Sequence, residues 1–402
     1  PRACESQCNR DGKDQGVSIH SMERFIGDWA LDRQLRLPCA ELPGTHCSIA
    51  VIGSGPAGLS FAYQMARRGH AVTVCEQHAE IGGMLRYGIP QYRLPRDILN
   101  GEIQRIADLG VKFRTRIRVG HDVSPGELRK QHAVLFVGIG ADKPQRMGIP
   151  GEDGPGVLSG TNFMYRANQG HSVDPGKRVI VIGGGNTAID SARAARRLGA
   201  EVVLLYRRTR DEMPAASDEV DEAMVEGVDM HFLAAPAKVL RNGERVTGIS
   251  VQKMILAEVD ESGRRRPMPV DGACYELPAS TVISAVSQQP DWGELNELNP
   301  GGGRLDIDAF GGFTDGCWTG GDTLGLGTVS RAVGHGRIAA EAAHATLCAS
   351  SVEDRHDGPQ LATSMGMHLD YYAAREQVKA RIRPPEEWLT RPNDEIHWGI
   401  TE

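Results

Sequence analysis

Apolar and polar positions follow two different periods along this chain, and the periods mark its elements. From Ser21 onward, Met22, Phe25, Ile26, Trp29 and Ala30 recur at the i, i+3, i+4, i+7, i+8 spacing of one helix face, which predicts a short N-terminal helix that packs against something. The stretch before it, Pro1 to Gly16, is polar and turn-rich and reads as a loop. After a break at Pro38 to Gly44 comes the first strong strand signal, Ser48 to Ile52. A helix from about Pro56 to Arg68 and a strand from Ala71 to Glu76 complete the start of a βαβ unit.

The same order returns as a strand at Arg178 to Ile182, a helix from Asn186 to about Leu198 and a strand at Glu201 to Leu205. The turns headed by Gly53 and Gly183 lie 130 positions apart, an internal repeat of architecture. Further on, β-type runs at Lys238 to Val251 and Met268 to Leu277 surround a turn at Glu261 to Arg266, whose arginines Arg264, Arg265 and Arg266 read as a solvated hairpin tip. A loop at Gly320, Gly321 and Asp322 leads into a predicted helix from about Thr328 to Ala345. Beyond Ser350 the chain is polar, with Pro384, Pro385 and Pro392 and isolated Trp388 and Trp398, a tail that wraps the body or meets a partner.

At 402 residues the chain exceeds what one hydrophobic core usually supports, and two α/β units fit that length. A net charge of -7 offers no broad basic surface, so neither nucleic acid nor an anionic membrane is expected as a partner. No apolar run approaches the ~20 residues of a spanning helix, and the expected location is the cytoplasm. Eight cysteines are too sparse for a disulfide scaffold; Cys39, Cys47, Cys75, Cys274, Cys317 and Cys348 stand far apart and read as reduced packing residues.

The chemistry sits in the two turns. Gly53, Gly55, Pro56, Ala57 and Gly58 lie between a strand and a helix, the setting that makes a glycine fingerprint specific. Gly53 allows the tight turn, Gly55 lets a pyrophosphate reach the backbone, and Gly58 permits close helix–strand packing at a helix N-terminus that favours anions. Glu76, ending the second strand, is placed to accept from adenosine ribose hydroxyls. The second turn, Gly183, Gly185, Asn186, Thr187 and Ala188, has alanine at the third fingerprint position. The residue matching Glu76 there is Tyr206, followed by Arg207 and Arg208. Guanidinium groups pair with a 2′-phosphate, so this site leans towards NADP over NAD, with two solvated arginines as the alternative. FAD, whose adenosine ribose carries no phosphate, then suits the Glu76 unit. Gly321 and Asp322, with Gly327, Thr328 and Val329 at the following helix start, fit its phosphate and flavin end.

These blocks together resemble the small subunit of glutamate synthase and its relatives, a family of FAD-containing NAD(P)H oxidoreductases. The narrowest matches are Gly82 to Pro90 and Tyr206 to Pro214. The resemblance implies that Gly82, Gly83, Met84, Arg86, Tyr87, Gly88, Ile89 and Pro90 lie near the flavin ring. It also implies an α/β fold of two Rossmann-like dinucleotide-binding domains, the FAD domain interrupted by the NAD(P) domain. The corresponding divisions are an N-terminal segment (1–44), a first FAD part (45–165), the NAD(P) domain (166–288), a second FAD part (289–350) and a tail (351–402). Relatives carry an N-terminal cysteine-rich helical domain, and Cys4 and Cys8 match the last two ligands of an iron–sulfur set. A [4Fe-4S] cluster takes four cysteines, so the others would have to precede Pro1 or come from another chain, and a vestigial, unligated pair is the alternative. The implied function is hydride transfer between NAD(P)H and FAD, with electrons exchanged with an iron–sulfur or catalytic partner subunit of a larger complex. No catalytic side chain is required. A subunit that binds both dinucleotides for redox sensing or assembly, without turnover, is the non-enzymatic alternative. A disulfide reductase would need two neighbouring redox cysteines, and no close-spaced pair follows Gly58.

Overall fold

The computed structural model describes residues 3–39, 46–170, 173–259, 263–350 and 369–400. Two sheets organise them. The first has six strands in the order Gly312–Thr314, Cys317–Thr319, Val134–Val137, Ser48–Ile52, Ala71–Glu76, Lys112–Thr115. Its strands run parallel except at the Gly312–Thr314 edge. Ser48–Ile52 is an apolar run without alternation because both its faces are covered, as in other parallel sheets. On one face Ile49, Val51 and Phe136 pack against Phe61 and Met65 of helix Pro56–Ala66 and against Ala339 and Ala343 of helix Val329–Leu347. On the other, Ala50, Leu135 and Val137 meet Trp292, Leu295 and Leu298.

The second sheet is inserted between Val134–Val137 and Gly312–Thr314 of the first. Its five parallel strands run in the order Val157–Ser159, Thr281–Ser284, Arg178–Ile182, Glu201–Tyr206, Asp229–Phe232. Val157–Ser159, upstream of the expected 165/166 division, already belongs here because it extends the sheet beside Thr281–Ser284. Helices Gly160–Asn168, Asn186–Arg197 and Ser217–Val225 cover one face through Phe163, Ile189, Ala192 and Val220. The other face is covered by a three-stranded antiparallel ribbon, Ala234–Asn242, Arg245–Val259 and Arg265–Pro278, whose Val239, Ile249 and Val251 pack on Ile180, Ile182 and Leu205.

Four details depart from the sequence expectations. The run Lys238 to Val251 is a hairpin whose two-residue turn is Gly243 and Glu244, with φ +60° at Gly243, a first turn position that favours glycine. At the expected solvated tip, Glu261 and Ser262 lie outside the described residues, but Arg264 is half-buried, and Arg265 Nε bonds Glu212 Oε1 at 2.7 Å. The Pro1 to Gly16 stretch contains a helical turn at Ala3–Ser6 and a 3-10 turn at Asn9–Gly12. Helix Ile19–Asp32 forms, yet Met22, Ile26 and Trp29 remain 45%, 61% and 38% exposed; its inward contact runs instead through Leu31, which lies against Gly101.

The tail wraps the body. Trp388 and Ile396 are buried with Tyr92, Ile396 N–H donates to the Tyr92 carbonyl (3.1 Å), and Arg197 donates to the Pro392 carbonyl (2.7 Å).

Candidate functional site: a two-dinucleotide cleft

Each glycine turn sits at the carboxyl end of its parallel strands, where open α/β sheets bind ligands. In the first, Gly53 has φ +91°, and a Cβ added there would lie 2.4 Å from the Gly138 carbonyl oxygen. A Cβ on Gly58 would lie 2.1 Å from the Gly53 carbonyl oxygen, so the helix can start this close to the strand only with glycine. A Cβ on Gly55 would meet nothing within 4 Å: the turn presents open space to the cleft where a pyrophosphate must approach.

Glu76 closes this turn from below and is buried. Its Oε2 accepts from Ser54 N–H (3.0 Å) and Ser54 Oγ (2.5 Å), and its Oε1 accepts from His78 N–H (2.8 Å). Two donors fill Oε2, leaving lone-pair capacity on Oε1 for a ribose hydroxyl. The Ser54 hydroxyl in turn accepts from Gly82 N–H (3.1 Å), linking the turn to the following segment.

That segment, through helix Met84–Tyr87, puts Gly83, Met84, Tyr87, Gly88 and Ile89 on the cleft wall. Arg86 and Pro90 are not on it. The Arg86 guanidinium points inward, donating to the Ile81 carbonyl (2.6 Å) and Asn100 (2.5 Å) and pairing with Glu80 (3.1 Å), because a buried cation needs such partners. Arg86 thus braces the backbone that forms the wall, with its guanidinium turned away from the cleft. Arg96 does the same from below, donating to the Ile89 carbonyl at 2.9 Å, and burial with Arg86 nearby lowers its pKa to about 10.

The second turn repeats the cradle. Gly183 has φ +140° with the Ala285 carbonyl oxygen 2.3 Å from an added Cβ, whereas at Gly185 the nearest atom would be Pro214 Cγ at 4.0 Å. Ala188 is fully buried behind the turn. Tyr206 lies with its ring against Gly184, and its hydroxyl donates to the Glu212 carbonyl (2.7 Å). Arg207 is exposed; Arg208 is buried and its Nε donates to the Arg265 carbonyl (2.8 Å).

Both turns open on one cleft of about 2110 Å³, more than twice the roughly 1,000 Å³ upper range of a single small-ligand site. The cleft brings together Gly53, Gly55, Pro56, Ala57, Glu76, Gly183, Gly185, Asn186, Thr187, Arg207, Arg208, Gly321, Asp322, Gly327, Thr328 and Val329. Gly58 and Ala188 stand behind it as packing residues. Asp322 accepts from Gly327 N–H (2.9 Å), and burial raises its carboxyl pKa against that bond and the nearby Arg331. Thr328 caps helix Val329–Leu347 by accepting from Arg331 N–H, so the positive helix end faces the cleft.

Sequence reasoning missed several wall residues. His78 and Tyr165 form an aromatic cluster with the expected Tyr87, with centroid separations of 4.7, 4.9 and 5.0 Å. Gly138 and Gly140 also line the cleft; a glycine pair directly after the apolar strand Val134–Val137 was a signal available in the sequence. Arg93 ties the two units together, its Nη1 contacting both Asp190 oxygens at 2.7 Å while its Nη2 bonds Glu219.

Cys4 is exposed and Cys8 half-buried, and among the described residues no group of three or more cysteine, histidine or carboxylate side chains is placed to hold a metal. Burial raises the thiol pKa of Cys75 and Cys317. Three strand steps separate them in the first sheet, ~14 Å at the usual ~4.8 Å spacing, too far for a disulfide.

Two interleaved Rossmann-like units facing one cleft define a flavoenzyme of the pyridine-nucleotide-dependent class. The chain belongs to the pyridine nucleotide-disulphide oxidoreductase family, which matches residues 47–336. It is 40% identical over 333 residues to the NADP(+)-dependent formate dehydrogenase subunit beta of Moorella thermoacetica, covering 77% of this chain and 46% of that protein. It is 36% identical over 301 residues to the glutamate synthase [NADPH] small chain of Halomonas elongata, covering 72% and 63% respectively. The chain thus spans about half to two-thirds of the length of these relatives. Mycobacterium tuberculosis FprA in complex with NADPH shares the fold, with a TM-score of 0.63 at 20% identity over 79% of this chain and 87% of that one. Among the described residues no helix is long and apolar enough to cross a membrane.

Proposed function

We propose that this chain is the electron-input subunit of a larger oxidoreductase, moving a hydride between NADP(H) and FAD held in its cleft and exchanging electrons with an iron–sulfur partner subunit. The single observation that carries this is that both phosphate-cradling turns open on the same cleft. Bound FAD would supply a centre that exchanges electrons in pairs with a nicotinamide and singly with an iron–sulfur group.

The chain's own residues bind, orient and exclude water. Gly53 to Ala57 and Glu76 would hold the FAD pyrophosphate and ribose, and Gly83, Met84, Tyr87, Gly88 and Ile89 with Gly321, Asp322 and Gly327 to Val329 would hold its flavin end. The capped helix start at Thr328 would favour negative charge on the ring. Gly183 to Ala188 would hold the nicotinamide dinucleotide, with Arg207 and Arg208 at its adenosine end. Transfer between stacked rings depends on positioning and water exclusion, and the aromatic wall of His78, Tyr87 and Tyr165 suits both.

Relatives named for NADP(+) and NADPH support the phosphorylated cofactor, and their names as beta subunit or small chain support a partner. Cys4 and Cys8 would supply two of a cluster's four thiolates only with ligands from outside the described residues. Dithiol exchange is not part of the proposal, since Cys75 and Cys317 are buried and far apart.

Anaerobic mixing of the FAD-loaded protein with NADPH should bleach the flavin's visible absorbance, with NADH slower. No bleaching by either would overturn the proposal and favour a binding subunit without turnover.

A further inference from the structure

We propose that Arg264, carried to the cleft by the antiparallel ribbon, is a third guanidinium of the site for the adenosine 2′-phosphate and sets the preference for the phosphorylated dinucleotide; this rests on the NADP(H) reading of the second turn. Arg264 is half-buried and lines the same cleft as Arg207 and Arg208, whereas its neighbour Arg266 is exposed and does not reach it.

Its position follows from how Arg265 is held. The Arg265 carbonyl accepts from Arg208 Nε at 2.8 Å, and Arg265 Nε donates to Glu212 Oε1 at 2.7 Å. The backbone of Arg265 is thus fastened to Arg208 and its side chain to Glu212 four positions on, which sets the residue before it beside the same loop. The same contacts remove an obstacle. Glu212, the nearby carboxylate, is kept ionised by Thr209 and Arg265, which together occupy both its oxygens. Its charge is matched locally instead of repelling a phosphate.

A 2′-phosphate monoester is close to dianionic above a pKa near 6 and carries three acceptor oxygens. Two guanidinium groups leave part of that capacity unused, and a third from a separate element closes the site from the opposite side. The ribbon therefore acts as more than the cover of the second sheet: the residue that leads into its third strand reads the ligand.

The test is calorimetric titration of the FAD-loaded full chain with 2′,5′-ADP and with 5′-AMP, which differ only in the 2′-phosphate. Arg264→Ala should weaken 2′,5′-ADP by about tenfold to a hundredfold, the scale of a lost charge-assisted bond, and leave 5′-AMP unchanged. Arg264→Lys should recover part of the loss, and Arg266→Ala should change neither ligand. If Arg264→Ala binds 2′,5′-ADP like the wild type while Arg207→Ala does not, the role of Arg264 is wrong and the NADP(H) reading stands. Equal weakening of both ligands would mean a disturbed ribbon and would also overturn it. A wild type that does not distinguish the two ligands would sink both.

Discussion

The two glycine turns share a backbone cradle and differ in what braces it. In the first, one buried carboxylate, Glu76, holds Ser54 and His78 and keeps acceptor capacity towards the cleft. In the second, the ring of Tyr206 supports Gly184, and the cleft-facing positions pass to Arg207 and Arg208. A phosphate beside the first turn would meet a carboxylate, because the group that braces the turn is acidic. Once an uncharged aromatic ring takes over bracing, recognition becomes independent of it, and cations can occupy the adjacent positions.

The largest effect that tests this contrast is at the third fingerprint position. Gly58→Ala places a methyl 2.1 Å from a carbonyl oxygen and should cost about 3 kcal/mol or more. Ala188→Gly in the second turn, which removes one buried methyl and adds helix flexibility, should cost only about 1–2 kcal/mol. Thermal melting with flavin content checks both, and a Gly58→Ala protein that keeps its FAD at the wild-type melting temperature would break the comparison.

Next comes Glu76→Gln. An amide has one acceptor end, so its NH₂ must face either Ser54 or His78, both of which already offer donors there. FAD affinity should fall about tenfold or more, as expected for losing a charged acceptor, with NADPH affinity unchanged. Flavin release on dilution, followed by fluorescence, measures it; a parallel loss of NADPH binding would show that the turns are not independent.

The smallest effect concerns the tie between the units. Burial pushes the Glu219 carboxyl up to about 7 from an ordinary 4.5, with Arg93 beside it working in the opposite direction, and its Oε2 has no hydrogen-bond partner among the described residues. The folded state thus holds this proton more tightly than the unfolded one, and the group's contribution to stability declines as pH rises from 4.5 through about 7. Glu219→Gln should flatten that part of the stability profile, gaining a few degrees in melting temperature over wild type between acid and pH 8. An identical pH profile in the variant would contradict the assignment.

Much of the fold was legible because its signals are local. Ser48–Ile52 and Arg178–Ile182 are short apolar runs followed at once by glycines whose Cβ positions are blocked by backbone, and nothing distant is needed to read them. The place of Glu76 at a strand end makes it a candidate ribose ligand from sequence, but its bracing of the turn depends on the Ser54 hydroxyl reaching it across 22 positions. Arg86 matched a family block, yet only packing shows that its charge is used inward. Arg93 finds Asp190 and Glu219 across 97 and 126 positions, and no periodicity announces such a pair. Of the three arginines near the ribbon turn, Arg265 and Arg266 are exposed, whereas Arg264 is half-buried on the cleft, a difference that only the packed loop reveals.

The returning tail joins regions that the sheets leave separate. Glu395 pairs with Arg24 of the N-terminal helix at 2.5 Å, His397 with Glu222 of the second unit at 2.7 Å, and Ile396 with Tyr92 of the first. Three consecutive residues thus act as a rivet through three bodies. Loosening any one body strains the other two, so heating should melt the protein in a single cooperative transition.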